Sequence, residues 1–373
     1  MTKMKGILIW GHSYCRSTLA FYRGLGLAFS VPIKILIWKI NAKLRTNVGF
    51  TEDEFSDMDI TFVGDDYTLA HVILEEHKDW HQLFGAYQSV PIFQRLILDA
   101  KSMGCNIGIA SEAPCNMTPG IKRIPKNIYT RWILPSKVKK QIGAADFIIN
   151  LSGDDSKPLE NIGWAKEKII PCGYYSPRIE ETKAVKRDSD NWKNFTILLT
   201  GLHQWHRSPV LLIKALIELK REGLTPKCYI TQKGPLLDTM KAMAKEYDLN
   251  VDFLGFVEMS DLIKLYETCS VYVGTGNHEP WGMRLNDVLQ CGAPLIVNKG
   301  MGGVKLIDDY HCGIAFKQDS SKELAAAIKK MMTDKEFYLA VAQNAFDSVP
   351  HIAPEEKAKS IVEEITKRCL SWK

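Results

Sequence analysis

Short apolar runs alternate with amphipathic stretches along the whole chain. Residues 7–10 form a strand-like run closed by Gly11, and Ser17 and Thr18 offer a helix cap before Leu19, Phe21 and Tyr22. The strand pattern returns over 33–40, 60–63, 105–110 and 147–151, with helical spacing over 69–84 and 91–103. A second series opens at 195–200 and ends at Gly201; Ser208 then caps a helix with Pro209 in its first position and Gly223 closing it. Strands over 228–231, 251–254, 270–274 and 294–297 follow, interleaved with helices over 236–246, 260–267, 284–291 and 321–332. Such alternation predicts an α/β fold with parallel, doubly wound sheets. Residues 179–194 are charged and apolar-poor, so they read as a linker between a domain over 1–178 and one over 195–352. A helix over 353–373 is expected to return toward the first domain. Two such sheets imply a cleft, with ligands beyond the carboxyl ends of the strands.

Composition changes this picture little. The chain has 373 residues, 46% hydrophobic and 24% charged, which is ordinary for globular domains and excludes disordered or fibrous classes. Nine dispersed cysteines without a Cys-x-x-Cys pair fit reduced thiols rather than a disulfide framework or zinc site. No run approaches the ~18–20 apolar residues of a membrane span. The apolar stretch near Met1 is too short for a signal peptide, so the expected location is cytoplasmic, including the inner face of a membrane.

The net charge of +5 is informative only in its placement. Residues 113–145 carry Lys122, Arg123, Lys126, Arg131, Lys137, Lys139 and Lys140 and no acid. Ile121, Ile124, Ile128, Trp132, Ile133 and Leu134 interleave with them, and Pro125 and Pro135 break the run. Cations beside aliphatic and aromatic groups suit an anionic lipid surface; a solvated face is the plainer reading. No nucleic-acid-binding motif is present, so nucleic acid is not an expected partner.

Residues 274–303 carry the chemistry. A strand ends, a Gly-rich loop presents Glu279, and Asp287 lies one turn inside the next helix. After another strand, Gly300, Gly302 and Gly303 form a second loop. Bare glycines let backbone N–H groups approach phosphate, and ionised carboxylates accept hydrogen bonds from sugar hydroxyls. The combination points to a nucleotide with a sugar attached.

Glu279, Trp281, Gly282, Asp287, Gly292 and Pro294 resemble the signature of retaining family-four glycosyltransferases of the GT-B fold, two Rossmann-like domains facing each other across a cleft. Residues 195–220, 252–257 and the Gly302-Gly303 pair extend the resemblance through the second domain. Residues 168–173 look like the usual exit from the first domain, which otherwise matches only in outline. The resemblance implies transfer of a sugar from a nucleotide diphosphate sugar, with UDP the default, to a glycan or lipid-linked glycan acceptor. It implies retention of configuration, with no cofactor and no bound metal. Glu279 would hold the donor sugar, Asp287 the ribose hydroxyls, and Arg207 the diphosphate. Gly201, His206, Gly282 and the N–H groups around Met283, Gly302 and Gly303 would complete the donor site. Gly11, His12, Ser13 and Glu112, at strand ends of the first domain, would face the acceptor.

Several positions depart from the family pattern. Asp287 is one methylene short of the usual Glu. Leu202 follows Gly201 where an Arg is usual, with His203 or His206 to fill its place. Gln232 replaces a glycine ahead of Gly234-Pro235, and Leu306 stands where Glu is common. A nucleotide-sugar epimerase and a non-catalytic binding subunit on the same fold remain open alternatives. Two other patterns read as solvated surface: His77 and His81, four apart on the expected helix beside Glu76 and Asp79, and Asp57-Met58-Asp59 near Glu52, Asp53 and Glu54.

Overall fold

The computed structural model describes residues 4–39, 55–118, 120–177, 179 and 182–372. Ile40, the acids Glu52, Asp53 and Glu54, and parts of the expected linker lie outside the described residues. The chain divides into two compact units. One comprises the described residues of 1–116, 121–177 and 353–373, the other those of 117–120 and 178–352.

The first unit is built on seven parallel strands: β1 (Ile7–Ser13), β2 (Ile33–Lys39), β3 (Asp59–Phe62), β4 (His81–Gly85), β5 (Ile107–Ser111), β6 (Phe147–Asn150) and β7 (Ile169–Pro171), in the order β3-β2-β1-β4-β5-β6-β7. The central strands β4, β5 and β6 are buried at every position. Of these, β5 and β6 read as near-continuous apolar runs because helices cover both faces of a parallel sheet.

Two expectations need correction here. The helix expected over 69–84 stops at Glu76, and the chain turns at His77 into β4. Its strand residues His81-Gln82-Leu83-Phe84-Gly85 carry no turn-free apolar run, and Gln82 is accommodated in the core only because its side chain bonds Trp10 Nε1 and the carbonyls of His77 and Trp80. His77 and His81 therefore share no helix face: His81 Nε2 meets the Ser371 carbonyl at 2.7 Å. The first helix, Arg16–Phe29, also starts ahead of Ser17, with Cys15 in the cap position and no side-chain cap bond. Asp57 and Asp59 pair with Arg23 and Lys34.

The C-terminal helix Pro354–Arg368 packs on Arg16–Phe29, where Gly24 permits close approach: a Cβ there would come within 2.8 Å of Ala358 Cβ. Trp372 closes the contact, edge-on to His81 and Phe147, with its Nε1 donating to Asp146.

The second unit has six parallel strands: β8 (Thr196–Leu199), β9 (Lys227–Thr231), β10 (Val251–Gly255), β11 (Val271–Gly274), β12 (Leu295–Asn298) and β13 (Gly313–Phe316). Their order is β10-β9-β8-β11-β12-β13. Each sheet thus reverses direction between its first and fourth strands, β1/β4 and β8/β11, the place where such folds bind ligands. The helix after β8 is Val210–Arg221, beginning after Pro209. Ser208, expected as its cap, adopts φ 44° and sits one step outside. β13 and the helix Lys335–Asp347 escaped the sequence pattern.

The expected linker is not a solvated tether throughout. Arg187 is fully buried, and its guanidinium donates to the carbonyls of Val185, Tyr266, Cys269 and Cys291. Cys269 and Cys291 end the helices Met259–Thr268 and Arg284–Gln290, so the cation sits where two helix dipoles present negative ends.

Candidate functional site

The expected donor residues gather at the carboxyl edge of the second sheet, at its switch point. Gly201 follows β8 with φ +109°, and a Cβ there would lie 2.9 Å from Arg207 Nη1. Glycine is required both for the backbone angle and for the guanidinium to lie against the chain. Arg207 ends the turn Trp205–Arg207, and its carbonyl accepts from Thr275 Oγ1 at 2.7 Å. The His206 carbonyl accepts the Asn277 N–H at 2.7 Å. The loops after β8 and β11 are thereby tied together, and Arg207 Nη2 comes 3.5 Å from Glu279 Oε1. The pair is a cation and an acceptor side by side, suited to a phosphate and to the hydroxyls of a sugar attached to it.

Glu279 is held by pairing with the loop after β12: its N–H donates to Gly300 O (3.3 Å), and its carbonyl accepts from Gly302 N–H (3.1 Å). Gly303 N–H donates to Trp281 O at 2.9 Å, and a Cβ on Gly303 would come 2.7 Å from that oxygen. The two N–H groups expected to cradle phosphate instead fix the loop that presents Glu279. The glycines are needed for close approach between two loops. Gly282, at φ +98°, packs on Met301, and Met283 precedes the helix Arg284–Gln290. Trp281 is buried with its Nε1 donating to Asn286 Oδ1, and Leu306 is fully buried.

Asp287 is nearly buried, and its Oδ2 lies 3.1 Å from Arg284 Nη1. The carboxylate expected to receive ribose thus already holds a guanidinium, which the sequence reading missed. The signal was available: a cation in the first turn of a helix opposes the dipole and calls for an anion. Of the two histidines offered for the absent Arg, His203 is 1% exposed, its backbone bonded to Lys233 and Leu236. It belongs to the interior. His206 is at the site; burial lowers its pKa, Glu279 opposes that and Arg207 adds to it. Gln232 occupies the left-handed region at φ 77°, the conformation a glycine would take without strain.

In the first unit, Gly11, His12 and Ser13 lie inside β1 rather than beyond it. Gly11 is buried, and a Cβ there would come 2.8 Å from Ile37 Cδ1, so its role is strand packing and not ligand contact. His12 is exposed with its ring 5.2 Å from Trp38; partial burial and Lys39 lower its pKa. Glu112 follows β5 and bonds the Tyr174 hydroxyl, whose pKa is raised by burial and by that carboxylate. Tyr174, Tyr22 and Cys15 lie in electrostatic reach of one another, a neutral, aromatic cluster with one acid.

The basic stretch is helical from 120 to 144. Pro125 lies in the first turn of Arg123–Ile128, where no N–H is needed. Pro135 is absorbed by a π-helical segment, Tyr129–Ile133, in which Leu134 N–H reaches back to Tyr129 O. The prolines therefore do not interrupt it. Leu134, Val138 and Ile142 face the core, so Leu134 is not part of the surface. Ile121 (81% exposed), Ile124, Ile128, Trp132 (70%) and Ile133 point outward with Lys122, Lys126, Arg131, Lys137, Lys139 and Lys140, and with the half-exposed Arg123. No described helix is long and apolar enough to cross a membrane.

Residues 181–348 match the family model "Glycosyl transferases group 1". A probable sucrose-phosphate synthase of Vicia faba is 24% identical over 198 residues, 52% of this chain and 18% of its own. An uncharacterized glycosyltransferase of Methanocaldococcus jannaschii is 25% identical over 151 residues, 40% and 38% of the two chains. The chain thus spans well under half the length of these curated relatives. Among solved structures, Anabaena HepE in complex with UDP superposes with TM-score 0.68 at 13% identity, covering 98% of this chain and 100% of that one; HepE has also been solved with UDP-glucose. The two doubly wound sheets are those of the GT-B fold, and residues 181–348 resemble the glycosyl transferases group 1 family.

Proposed function

We propose that the protein transfers a sugar from a nucleotide diphosphate sugar, UDP-linked by preference, to a hydroxyl of a glycan or lipid-linked glycan, retaining configuration. The observation that carries this is the Arg207–Glu279 pair at 3.5 Å on the switch point of the second sheet. Arg207 neutralises the leaving diphosphate, an electrostatic task that requires no bound metal. Glu279 accepts from the sugar hydroxyls and fixes the anomeric carbon relative to Arg207. HepE's complexes with UDP and UDP-glucose support the choice of donor. The test is a panel of UDP- and GDP-sugars read by thermal shift and by transfer. One nucleotide sugar should raise the melting midpoint and turn over, and Glu279→Ala should lose transfer. A chain that binds and turns over none would refute the proposal. Epimerisation of the donor without acceptor, seen by NMR, would replace it.

The acceptor is proposed to lie at an anionic membrane surface, in glycolipid or cell-surface polysaccharide synthesis. The outward row of isoleucines, Trp132 and lysines supports this reading. Each cation near such a surface contributes ~1 kcal/mol, enough together for reversible docking. Sedimentation with phosphatidylglycerol vesicles should be salt-sensitive and should be lost with neutral vesicles.

A further inference from the structure

A nucleoside diphosphate carries more negative charge than one guanidinium balances, and Arg207 already shares its charge with Glu279. Leu202, beside it, contributes no charge, and His203 is buried. Arg284 stands on the other side. It opens the helix Arg284–Gln290, its side chain is about one-third exposed, and its Nη1 is held at 3.1 Å by Asp287. Arginine has five N–H donors, and this bond uses one. The Tyr272 hydroxyl bonds Thr200 Oγ1 at 3.1 Å just past β8, next to Gly201, which lies against Arg207; Arg284, Arg207 and Glu279 all act electrostatically on that tyrosine. Burial weakens the charge on Arg284, but Tyr266, Asp287 and Tyr272 outweigh this and raise its pKa, so it stays cationic.

We propose that Arg284 is the second phosphate-binding cation of the donor site: Asp287 positions its guanidinium to meet the phosphate next to the nucleoside, while Arg207, beside Glu279, meets the phosphate next to the sugar. This rests on the nucleotide-sugar reading and changes the part played by Asp287, from a ribose ligand alone to the group that aims Arg284.

The experiment is titration calorimetry of the whole chain with uridine, UMP and UDP, and with the guanosine series in parallel. Arg284→Gln should weaken UMP and UDP alike by about 10- to 100-fold, the loss expected for a charge-assisted bond to phosphate, and leave the nucleoside within about twofold. Arg207→Gln should weaken UDP and spare UMP. Arg284→Lys should recover part of the UMP affinity, which separates charge from folding; unliganded melting midpoints of all variants serve as a further control. Equal losses for nucleoside and UMP, or unchanged UMP binding in Arg284→Gln, overturn the assignment while leaving the donor reading intact. Wild-type protein that binds neither series overturns the donor reading and this inference together.

Discussion

Over six strands the two sheets share one order, and they differ at their carboxyl edges. In the second unit that edge is charged and cross-tied: Arg207 with Glu279, Arg284 with Asp287, and the loops after β8, β11 and β12 bonded to one another. Among the described residues of the first unit it is more aromatic, with His12 on Trp38, Trp38 beside Lys39 and Asp65, and Tyr174 on Glu112. A longer run of cations lies on the outer face of the 120–144 helical stretch. The proposed donor takes the charged edge of one sheet and the proposed acceptor the aromatic edge of the other. A shared strand order carries no information about which is which; the side chains at the strand ends do.

The sharpest way to break the contrast is to remove the acid of the charged edge. Glu279→Ala should lower transfer by about 100- to 1,000-fold, the size of effect seen when one placed electrostatic group is lost, with little change in stability. His12→Ala at the edge of the first sheet should leave UDP-sugar binding intact and lower only transfer to acceptor. Equal effects of the two on donor affinity, measured by calorimetry, would erase the distinction between the units. Next in size is the outer face: Lys137, Lys139 and Lys140 changed together to Glu should reduce vesicle partitioning by about 100-fold or more at ~1 kcal/mol per charge. Unaltered sedimentation would leave that face an ordinary solvated helix.

A third contrast concerns protons. Each unit buries one histidine, His81 in the first and His203 in the second, and burial lowers both pKa values below 6.5. The unfolded chain then binds more protons than the folded one as pH falls below about 6.5, so stability is present above that value and is lost on acidification. Denaturant midpoints at pH 7.5 and 5.5 should show the fall, and His203→Gln should flatten it for the second unit alone. A loss of stability with rising pH over that window would contradict the sign.

These differences also explain what could be read in advance. The edge proposed for the donor was legible because it carries rare residues at fixed spacing: Gly201 and Gly282 at positive φ, Gly303 against Trp281 O, and Glu279 on the loop after β11. The edge proposed for the acceptor carries Tyr174 and Trp38, which in a sequence look like any core aromatics. β4 was hidden because His81 and Gln82 break the apolar run, their polarity answered by Ser371, His77 and Trp80, which are placed only by the fold. Arg187 was hidden for the same reason: a buried cation in a charged stretch is indistinguishable from a solvated one until its carbonyl partners are known. Arg284 escaped because Asp287, three residues on, was read only for its resemblance.

The smallest predicted effect probes the proposed donor edge where it departs from the family pattern it resembles. Gln232 sits at φ 77°, its N–H donating to Gly255 O, directly after β9. An L-residue in the left-handed region costs roughly 1–2 kcal/mol. Replacing it by glycine removes that strain but gives the unfolded chain more freedom, which offsets about 0.4–1 kcal/mol. Gln232→Gly should therefore stabilise the second unit by about 0.5 kcal/mol, a rise of roughly 1–2 °C in melting midpoint for a domain of this size. Gly201→Ala makes the opposite test at the neighbouring loop. It places a Cβ at φ +109° and 2.9 Å from Arg207, so it should destabilise and should also displace the guanidinium, weakening UDP binding. If Gln232→Gly gains stability with unchanged UDP affinity while Gly201→Ala loses both, glycine after β9 serves the backbone alone and glycine after β8 serves the ligand as well.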